Sequence, residues 1–117
     1  MSGMEEHMQP KLFDGLRVLE MTGLIGQQCG KLFADMGADV IKIEPPGGAP
    51  SRRVGPFLAD APHPERSLSF WHYNTSKRGI TLDLGVPQGQ ALFRRLAQTA
   101  DVFIEDTPPG TLNPWGL

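Results

Sequence analysis

The chain of 117 residues lacks the features that would place it in several classes of protein. Its one cysteine, Cys29, cannot form a disulfide within the chain, which fits a reducing compartment. No stretch approaches the roughly 18 apolar residues of a membrane-spanning helix. Its 11 basic residues nearly balance 13 acidic ones, so the net charge of −2 gives no reason to expect nucleic acid. We therefore expect a cytoplasmic protein with neither membrane nor nucleic acid as a partner.

Glycine and proline are abundant instead, with 14 and 11 residues, and this exceeds their usual usage. They cluster at 45–50, 55–64 and 108–116, which predicts loops between ordered elements. The first residues contain two acids and no apolar run, so we interpret 1–11 as a flexible tail and not as a signal peptide. The remaining length, 12–117, suits one domain with a modest core.

Hydrophobic periodicity predicts a strand–helix–strand unit in the first half of the chain. Residues 16–21 and 38–44 are typical of strands, and the helix between them begins at Gln27 and ends at Gly37. Its apolar stripe comprises Cys29, Leu32, Phe33 and Met36. We interpret Cys29 as a small core residue, because it lies on that stripe.

The second half repeats the pattern. A strand is predicted at 80–84 and another at 100–106, and Pro87 suits the first turn of the helix between them. The apolar positions of that helix are Leu92, Phe93, Leu96, Ala97 and Ala100. Strand–helix–strand units have parallel strands. The predicted fold class is therefore α/β, with Rossmann-like βαβ units around a parallel sheet.

Three predicted strands end in loops rich in glycine or proline, at 22–26, 44–48 and 105–110. The carboxyl ends of parallel strands share one edge of the sheet, where ligands bind in this class of fold. Gly23 and Gly26 would let backbone amides approach a phosphate, although a tight turn explains them equally well. The glycine fingerprint G-x-G-x-x-G of dinucleotide-binding folds is absent.

Two basic pairs lie in or beside loops, Arg52-Arg53 and Lys77-Arg78. Arginine binds phosphate through paired donors, so these residues are candidates for an anionic ligand, and solvated surface charge is the alternative. The histidines show no spacing typical of metal ligands, so no metal site is expected. The aromatic stretch at 70–73 suits packing against the sheet better than base stacking.

Five motifs occur in a specific order along the chain: LRVLEMTGLIG, LFADMGADVIKIEPPGG, NTSKRGITLDL, ADVFIED and PPGTLNPWGL. In order and spacing the chain resembles the amino-terminal part of the family III CoA-transferases, the CaiB/BaiF group. The similarity extends from about Leu12 to Leu117. The resemblance implies a Rossmann-like large domain, a second smaller domain and a homodimer of two interlocked rings.

The resemblance also implies an activity, the transfer of CoA between an acyl-CoA and a free carboxylate. An aspartate would attack the thioester, which gives a mixed anhydride and then an aspartyl-CoA thioester. Backbone amides would stabilise the oxyanions. Coenzyme A and acyl-CoA are then substrates, and no tightly bound cofactor is expected.

By resemblance, CoA contacts fall on three segments of this chain. They are Leu24 and Ile25; Leu82, Asp83, Leu84 and Gly85; and Asp106, Thr107 and Pro108. Formyl-CoA transferase, one member of the group, has arginines where this chain has Pro45 and Pro114. Arg52 or Arg53 would replace the first of these, since the intervening loop can fold back.

The resemblance places the catalytic aspartate and the small domain beyond Leu117. We therefore expect no catalytic residue within the chain and no activity from it alone, whether it is a fragment, a truncated reading frame or a subunit of a split enzyme. One alternative is a non-catalytic CoA-binding or nucleotide-binding piece that pairs with another chain. A second is an NAD-binding domain, suggested by the position of Glu44 and disfavoured by the missing glycines. The sequence does not identify the acyl-CoA or the carboxylate. It also does not decide between CoA transfer and the racemase activity that other members of the group have.

Overall fold

The computed structural model describes residues 9–117. Within them, four strands form one parallel sheet. The strands are β1 (Arg17–Met21), β2 (Asp39–Glu44), β3 (Arg78–Thr81) and β4 (Val102–Glu105), and their order across the sheet is β3–β2–β1–β4. The predicted α/β class with a parallel sheet is confirmed. Most of the predicted tail, residues 1–8, lies outside the described residues.

Three helices connect the strands: α1 (Gln27–Asp35), α2 (Leu68–Tyr73) and α3 (Pro87–Ala97). Gly37 follows α1 with a φ of +104°, a conformation that glycine adopts without steric cost, and Pro87 opens α3, as predicted for both positions. The long connection from β2 to β3 contains α2 and two short 3₁₀ helices, none of which the sequence predicted. No helix among residues 9–117 is long and apolar enough to cross a membrane.

The sheet is covered on both faces, so successive residues of its central strands are buried whichever face they point to. On one face, Leu19, Ile41 and Ile43 pack with Leu84 and with Phe93 of α3. On the other face, Val18 and Val40 pack with Ala34 of α1 and with Ala38, which precedes β2. Side chains alternate between the faces because successive residues of a strand point in opposite directions.

The buried side of α1 differs from the prediction. Cys29, Leu32 and Met36 are exposed, so the interpretation of Cys29 as a core residue is wrong. The buried residues of the helix are Gln27, Gly30 and Ala34. Gly30 has no side chain and Ala34 has only a methyl group, so this side of the helix can lie close to the sheet. Most of the apolar stripe therefore points outward. Phe33 is half-buried and packs against Phe13, with ring centroids 5.1 Å apart.

The boundaries of the third strand also differ. The predicted strand at 80–84 is observed as Arg78–Thr81, and Leu82 adds one further bond from its N–H to the Glu44 carbonyl at 3.0 Å. The chain then turns at Asp83, whose carboxylate accepts the Gly85 N–H at 2.9 Å. This turn brings residues 82–85 to the carboxyl edge of the sheet. On α3, Phe93 is buried as expected, whereas Leu92 is exposed.

Candidate functional site

A cleft of about 490 Å³ opens at the carboxyl ends of the strands. Its lining comes from the ends of β1, β2 and β4, from the turn after β3, and from Trp115 near the last described residue. Asp83 and Asp106 are the only charged residues of this lining, and within residues 9–117 no lysine or arginine reaches it. The lining is therefore suited to a neutral, largely apolar part of a ligand and not to phosphates.

Seven of the residues that the resemblance assigned to CoA line this cleft. They are Leu82, Asp83, Leu84, Gly85, Asp106, Thr107 and Pro108. They come from two connections that are distant in sequence, and the parallel arrangement of the strands brings them together. Leu24 and Ile25 lie on the neighbouring loop and are exposed, while Gly23 of the same loop lines the cleft.

Asp106 holds the loop between β1 and α1, which comprises residues 22–26 and is called the β1–α1 loop below. The Gly23 N–H donates to both carboxylate oxygens of Asp106 at 2.9 and 3.1 Å. The N–H groups of Ile25 and Gly26 donate to the same carboxylate at 3.1 and 2.8 Å. The amides considered for a phosphate therefore bind a carboxylate of the same chain, which favours the tight-turn explanation of the glycines.

Glu44, the acid at the end of β2, holds the loop that follows it. Arg52 donates to both of its carboxylate oxygens, from Nε at 2.6 Å and from Nη2 at 2.7 Å, and the Ala49 N–H donates at 2.7 Å. Burial raises the pKa of Glu44, but the bonds from Arg52 and Ala49 outweigh it and leave the pKa below its ordinary value. In a dinucleotide-binding fold an acid at this position binds the ribose, but both carboxylate oxygens of Glu44 are already bonded within the chain.

Arg52 is consequently held in place by the protein. Its Nη1 donates to the Pro64 carbonyl at 3.0 Å, and its guanidinium lies 4.0 Å from the ring centroid of Phe70. Such contacts orient an arginine side chain firmly. Arg53 is exposed and makes no ion pair with any residue from 9 to 117. Of the two, only Arg53 presents an uncommitted guanidinium.

The second basic pair is divided between two places. Arg78 lies at the amino end of β3, at the opposite edge of the sheet from the cleft, and donates to both oxygens of Asp39 at 2.9 and 2.8 Å. Arg78, followed by Arg17, lowers the pKa of Asp39 below its ordinary value. The Lys77 side chain is buried beneath α1. The structure does not bring the four predicted basic residues together.

The sequence model of the family described as CoA-transferase family III matches residues 13–117. The chain belongs to CoA-transferase family III. The resemblance stated from the motifs is confirmed by this match.

Similar proteins agree with that assignment. The succinyl-CoA:(R)-benzylsuccinate CoA-transferase subunit BbsE of Thauera aromatica is 44% identical over 105 residues, which are 90% of this chain and 26% of that protein. The succinyl-CoA–D-citramalate CoA-transferase of Chloroflexus aurantiacus is 42% identical over 118 residues, covering 97% of this chain and 28% of that protein. The chain thus spans about a quarter of the length of these relatives.

A solved structure shows the same fold. The CaiB/BaiF family protein from Brucella suis superposes with a TM-score of 0.82 at 42% sequence identity. The match covers 93% of this chain and 29% of that protein. The parallel sheet and its helices are therefore the arrangement of this family.

Reasoning from the sequence missed Glu20 and Lys42 in this family III chain, and it assigned Lys77 to an anionic ligand and not to a buried ion pair. Glu20, Lys42 and Lys77 form a buried ionic cluster, with Glu20 bonded to the Lys42 Nζ at 3.1 Å and to the Lys77 Nζ at 2.5 Å. The sequence carried a signal for Glu20 and Lys42, because each is a charged residue within a central strand, where a buried charge must be paired. Burial lowers the pKa of Lys77, although its bonds to Glu20 oppose the shift.

No group of three or more His, Cys, Asp or Glu side chains within residues 9–117 is arranged to hold a metal ion. His63 instead accepts the Glu65 N–H at its Nδ1, at 3.0 Å.

Proposed function

We propose that this chain is the amino-terminal, CoA-binding part of a CoA-transferase that moves CoA between an acyl-CoA and a carboxylate. The observation that supports the proposal is the cleft at the carboxyl edge of the sheet, which is lined by seven of the residues that the resemblance assigned to CoA. Ligands of open parallel α/β sheets bind at this edge. Family III membership supplies the reaction class.

The chemistry of the cleft suggests which part of CoA it takes. The apolar lining and the absence of basic residues among the described part of that lining suit the adenine or the pantetheine arm. The phosphates would then lie outside the cleft, within reach of the exposed Arg53, whose 3₁₀ turn begins at the cleft residue Pro50.

In the first half of the complete reaction, an aspartate carboxylate oxygen attacks the carbonyl carbon of the acyl-CoA thioester. A mixed anhydride of the aspartate and the acyl group forms, and the CoA thiolate leaves. The thiolate then attacks the aspartyl carbonyl of that anhydride, which releases the first carboxylate and leaves an aspartyl-CoA thioester. We place the aspartate in sequence beyond Leu117, so the present chain binds CoA and does not turn it over. Succinyl-CoA is the first donor to test, because both relatives compared above are named for it.

The proposal includes the setting in which the chain works. It is cytoplasmic, has no tightly bound cofactor and acts as a homodimer or with a complementing chain. Large apolar side chains at Leu24, Ile25, Leu32 and Met36 are exposed, as expected if further protein covers them. The alternative of a non-catalytic CoA-binding subunit shares the same cleft and differs only in whether a partner supplies an aspartate.

Calorimetry with CoA, dephospho-CoA and NAD tests the assignment. We expect CoA to bind, Pro45→Trp to weaken binding at least roughly tenfold by filling the cleft, and Pro46→Trp to leave it within about twofold. Pro46 is the matched control, since it is the adjacent proline and does not line the cleft. Equal effects of the two variants, or binding of NAD and not CoA, would contradict the proposal.

Two further arms use the same preparations. Arg53→Ala should weaken CoA binding, and an unchanged affinity for dephospho-CoA would assign the contact to the 3′-phosphate. Mass spectrometry of the chain with succinyl-CoA and a panel of carboxylates should detect no new acyl-CoA. Turnover that survives removal of host enzymes would show that the chain is catalytic by itself.

A further inference from the structure

The buried ionic cluster of Glu20, Lys42 and Lys77 lies directly beneath the β1–α1 loop. The Lys42 Nζ donates to Glu20 Oε2 at 3.1 Å, to the Thr22 hydroxyl at 3.2 Å and to the Thr22 carbonyl at 3.3 Å. Thr22 is the first residue of the loop. One lysine is therefore bonded to the point where the loop leaves β1.

The second lysine is bonded to the point where the loop enters the helix. The Lys77 Nζ donates to Glu20 Oε1 at 2.5 Å, to Asn74 Oδ1 at 2.8 Å and to the carbonyl of Gln27 at 2.9 Å. Gln27 is the first residue of α1. An ammonium has three N–H donors, so both lysines are fully satisfied, and Glu20 connects them through its two oxygens.

The composition of the cluster argues against a role in stability alone. One carboxylate between two ammonium groups leaves an excess positive charge, and all three side chains are at most 3% exposed. Buried ions carry a desolvation cost that apolar residues of similar size would avoid. The helix is also pressed onto the cluster, since a Cβ at Gly30 would overlap the Glu20 carboxylate. A buried network of this kind fixes the positions of the groups that it bonds. Here those groups are Thr22 and Gln27, at the two ends of the β1–α1 loop.

We propose that Glu20, Lys42 and Lys77 are positioning residues that fix the β1–α1 loop in the shape that binds CoA. The inference rests on the proposed function, because the loop matters for CoA only if Leu24 and Ile25 meet the ligand. The cluster itself does not line the cleft, and it acts through Thr22 and Gln27. Asp106 fastens the same loop from the other side through its amides.

Lys77→Met is the informative variant. It leaves Glu20 and Lys42 as a neutral pair, so the fold should persist, while the bonds to Gln27 and Asn74 are lost. Lys31→Met is the matched control, because Lys31 also joins α1 to the segment before β3, through the Thr75 hydroxyl at 2.7 Å. Its other bond, to Asp35 at 3.0 Å, lies within α1. Thr22→Val, which is nearly isosteric, removes the hydroxyl that Lys42 binds at the other end of the loop.

Two measurements on the whole chain separate a positioning role from a structural one. Amide NMR spectra report the loop through the Gly23, Ile25 and Gly26 resonances, and calorimetry reports CoA affinity well below the unfolding temperature. We expect Lys77→Met to move or broaden those three resonances, to leave the Val18 and Val40 resonances in place, and to weaken CoA binding roughly tenfold, equivalent to one ordinary hydrogen bond. Thr22→Val should act in the same direction with a smaller effect, and Lys31→Met should do neither.

The outcomes distinguish this inference from the proposed function. If the wild-type chain binds no CoA, the proposed function fails, and the loop resonances still decide whether the cluster sets the loop. If Lys77→Met and Thr22→Val both leave the loop resonances unchanged, the cluster does not position the loop and the inference is overturned. It is overturned equally if the loop resonances move while CoA affinity stays at the wild-type value.

Discussion

Replacing Arg52 with alanine should destabilise the chain far more than the same change at Arg53. Arg52 makes two charge-assisted hydrogen bonds to Glu44, at 2.6 and 2.7 Å, and its side chain is 18% exposed. Removing one partner of a fully buried ion pair costs about 3–5 kcal/mol. Since this pair retains some contact with water, we expect Arg52→Ala to lower the free energy of unfolding by about 2–3 kcal/mol at pH 7. Arg53→Ala should stay within about 0.5 kcal/mol of wild type.

The pH dependence supplies a second, independent criterion. Arg52 and the Ala49 amide outweigh burial and hold the pKa of Glu44 below its ordinary value of 4.5. A carboxyl group whose pKa is lowered by folding contributes stability above its unfolded pKa and loses it as the pH falls through the folded value. In Arg52→Ala, burial acts on Glu44 without compensation from the arginine and favours the protonated form. The difference in free energy of unfolding between wild type and Arg52→Ala should therefore become smaller as the pH falls from 7 to below 4.5.

Urea unfolding of the wild type and both variants, followed by circular dichroism at pH 7 and pH 4, measures these differences. Equal destabilisation by the two alanine substitutions would refute the reasoning, since only Arg52 is bonded to Glu44. The reasoning would also be refuted if Arg52→Ala lowered the free energy of unfolding by the same amount at both pH values. That result would exclude the ionised Glu44 carboxylate as the source of the lost stability.

Two further substitutions, each with a matched control, test the contacts of the β1–α1 loop and of helix α1 by the same unfolding measurement. Asp106→Asn should cost about 1–3 kcal/mol of unfolding free energy, because an amide offers one oxygen and an unwanted donor to the N–H groups of Gly23, Ile25 and Gly26. Asp83→Asn should cost much less, because within residues 9–117 the Asp83 carboxylate accepts a single hydrogen bond, from the Gly85 N–H. Equal losses would contradict the assignment. Gly30→Ala should cost about 1–3 kcal/mol through overlap with Glu20, whereas Gly79→Ala, whose Cβ would meet nothing within 4 Å, should be nearly neutral. A neutral Gly30→Ala would show that the helix is not pressed onto the cluster.

The loop at the end of β2 shows how far sequence reasoning reached. The run Val40 to Ile43, stopped by Glu44 and followed by prolines and glycines, predicts a buried strand and a chain reversal, and both are present. The partner of Glu44 could not be assigned from the sequence. Arg52 and Arg53 are adjacent and chemically identical, and only the 3₁₀ turn at Pro50–Arg53 directs the first toward the carboxylate.

The candidate site, too, was predictable from the sequence only in part. Motif order identified the family and the segments at 82–85 and 106–108, which meet at the cleft because parallel strands end at a common edge. The hydrogen bonds from the loop amides to Asp106 could not be predicted. The bond from the Gly23 N–H, for example, joins residues 83 positions apart in the sequence. The phosphate interpretation of those glycines depended on the amides being free.

By itself, the sequence determined the alternation of strands and helices, the parallel sheet and the family, because these follow from local periodicity, turn residues and the order of motifs. Only the tertiary structure decided which side of α1 is buried, since periodicity defines an apolar stripe but not how closely a helix can approach its neighbour. It also decided that Lys77 is buried with Glu20 while Arg78 pairs with Asp39 at the far edge. These outcomes depend on which side chains meet across the fold, and that is a property of the packed chain and not of any local segment.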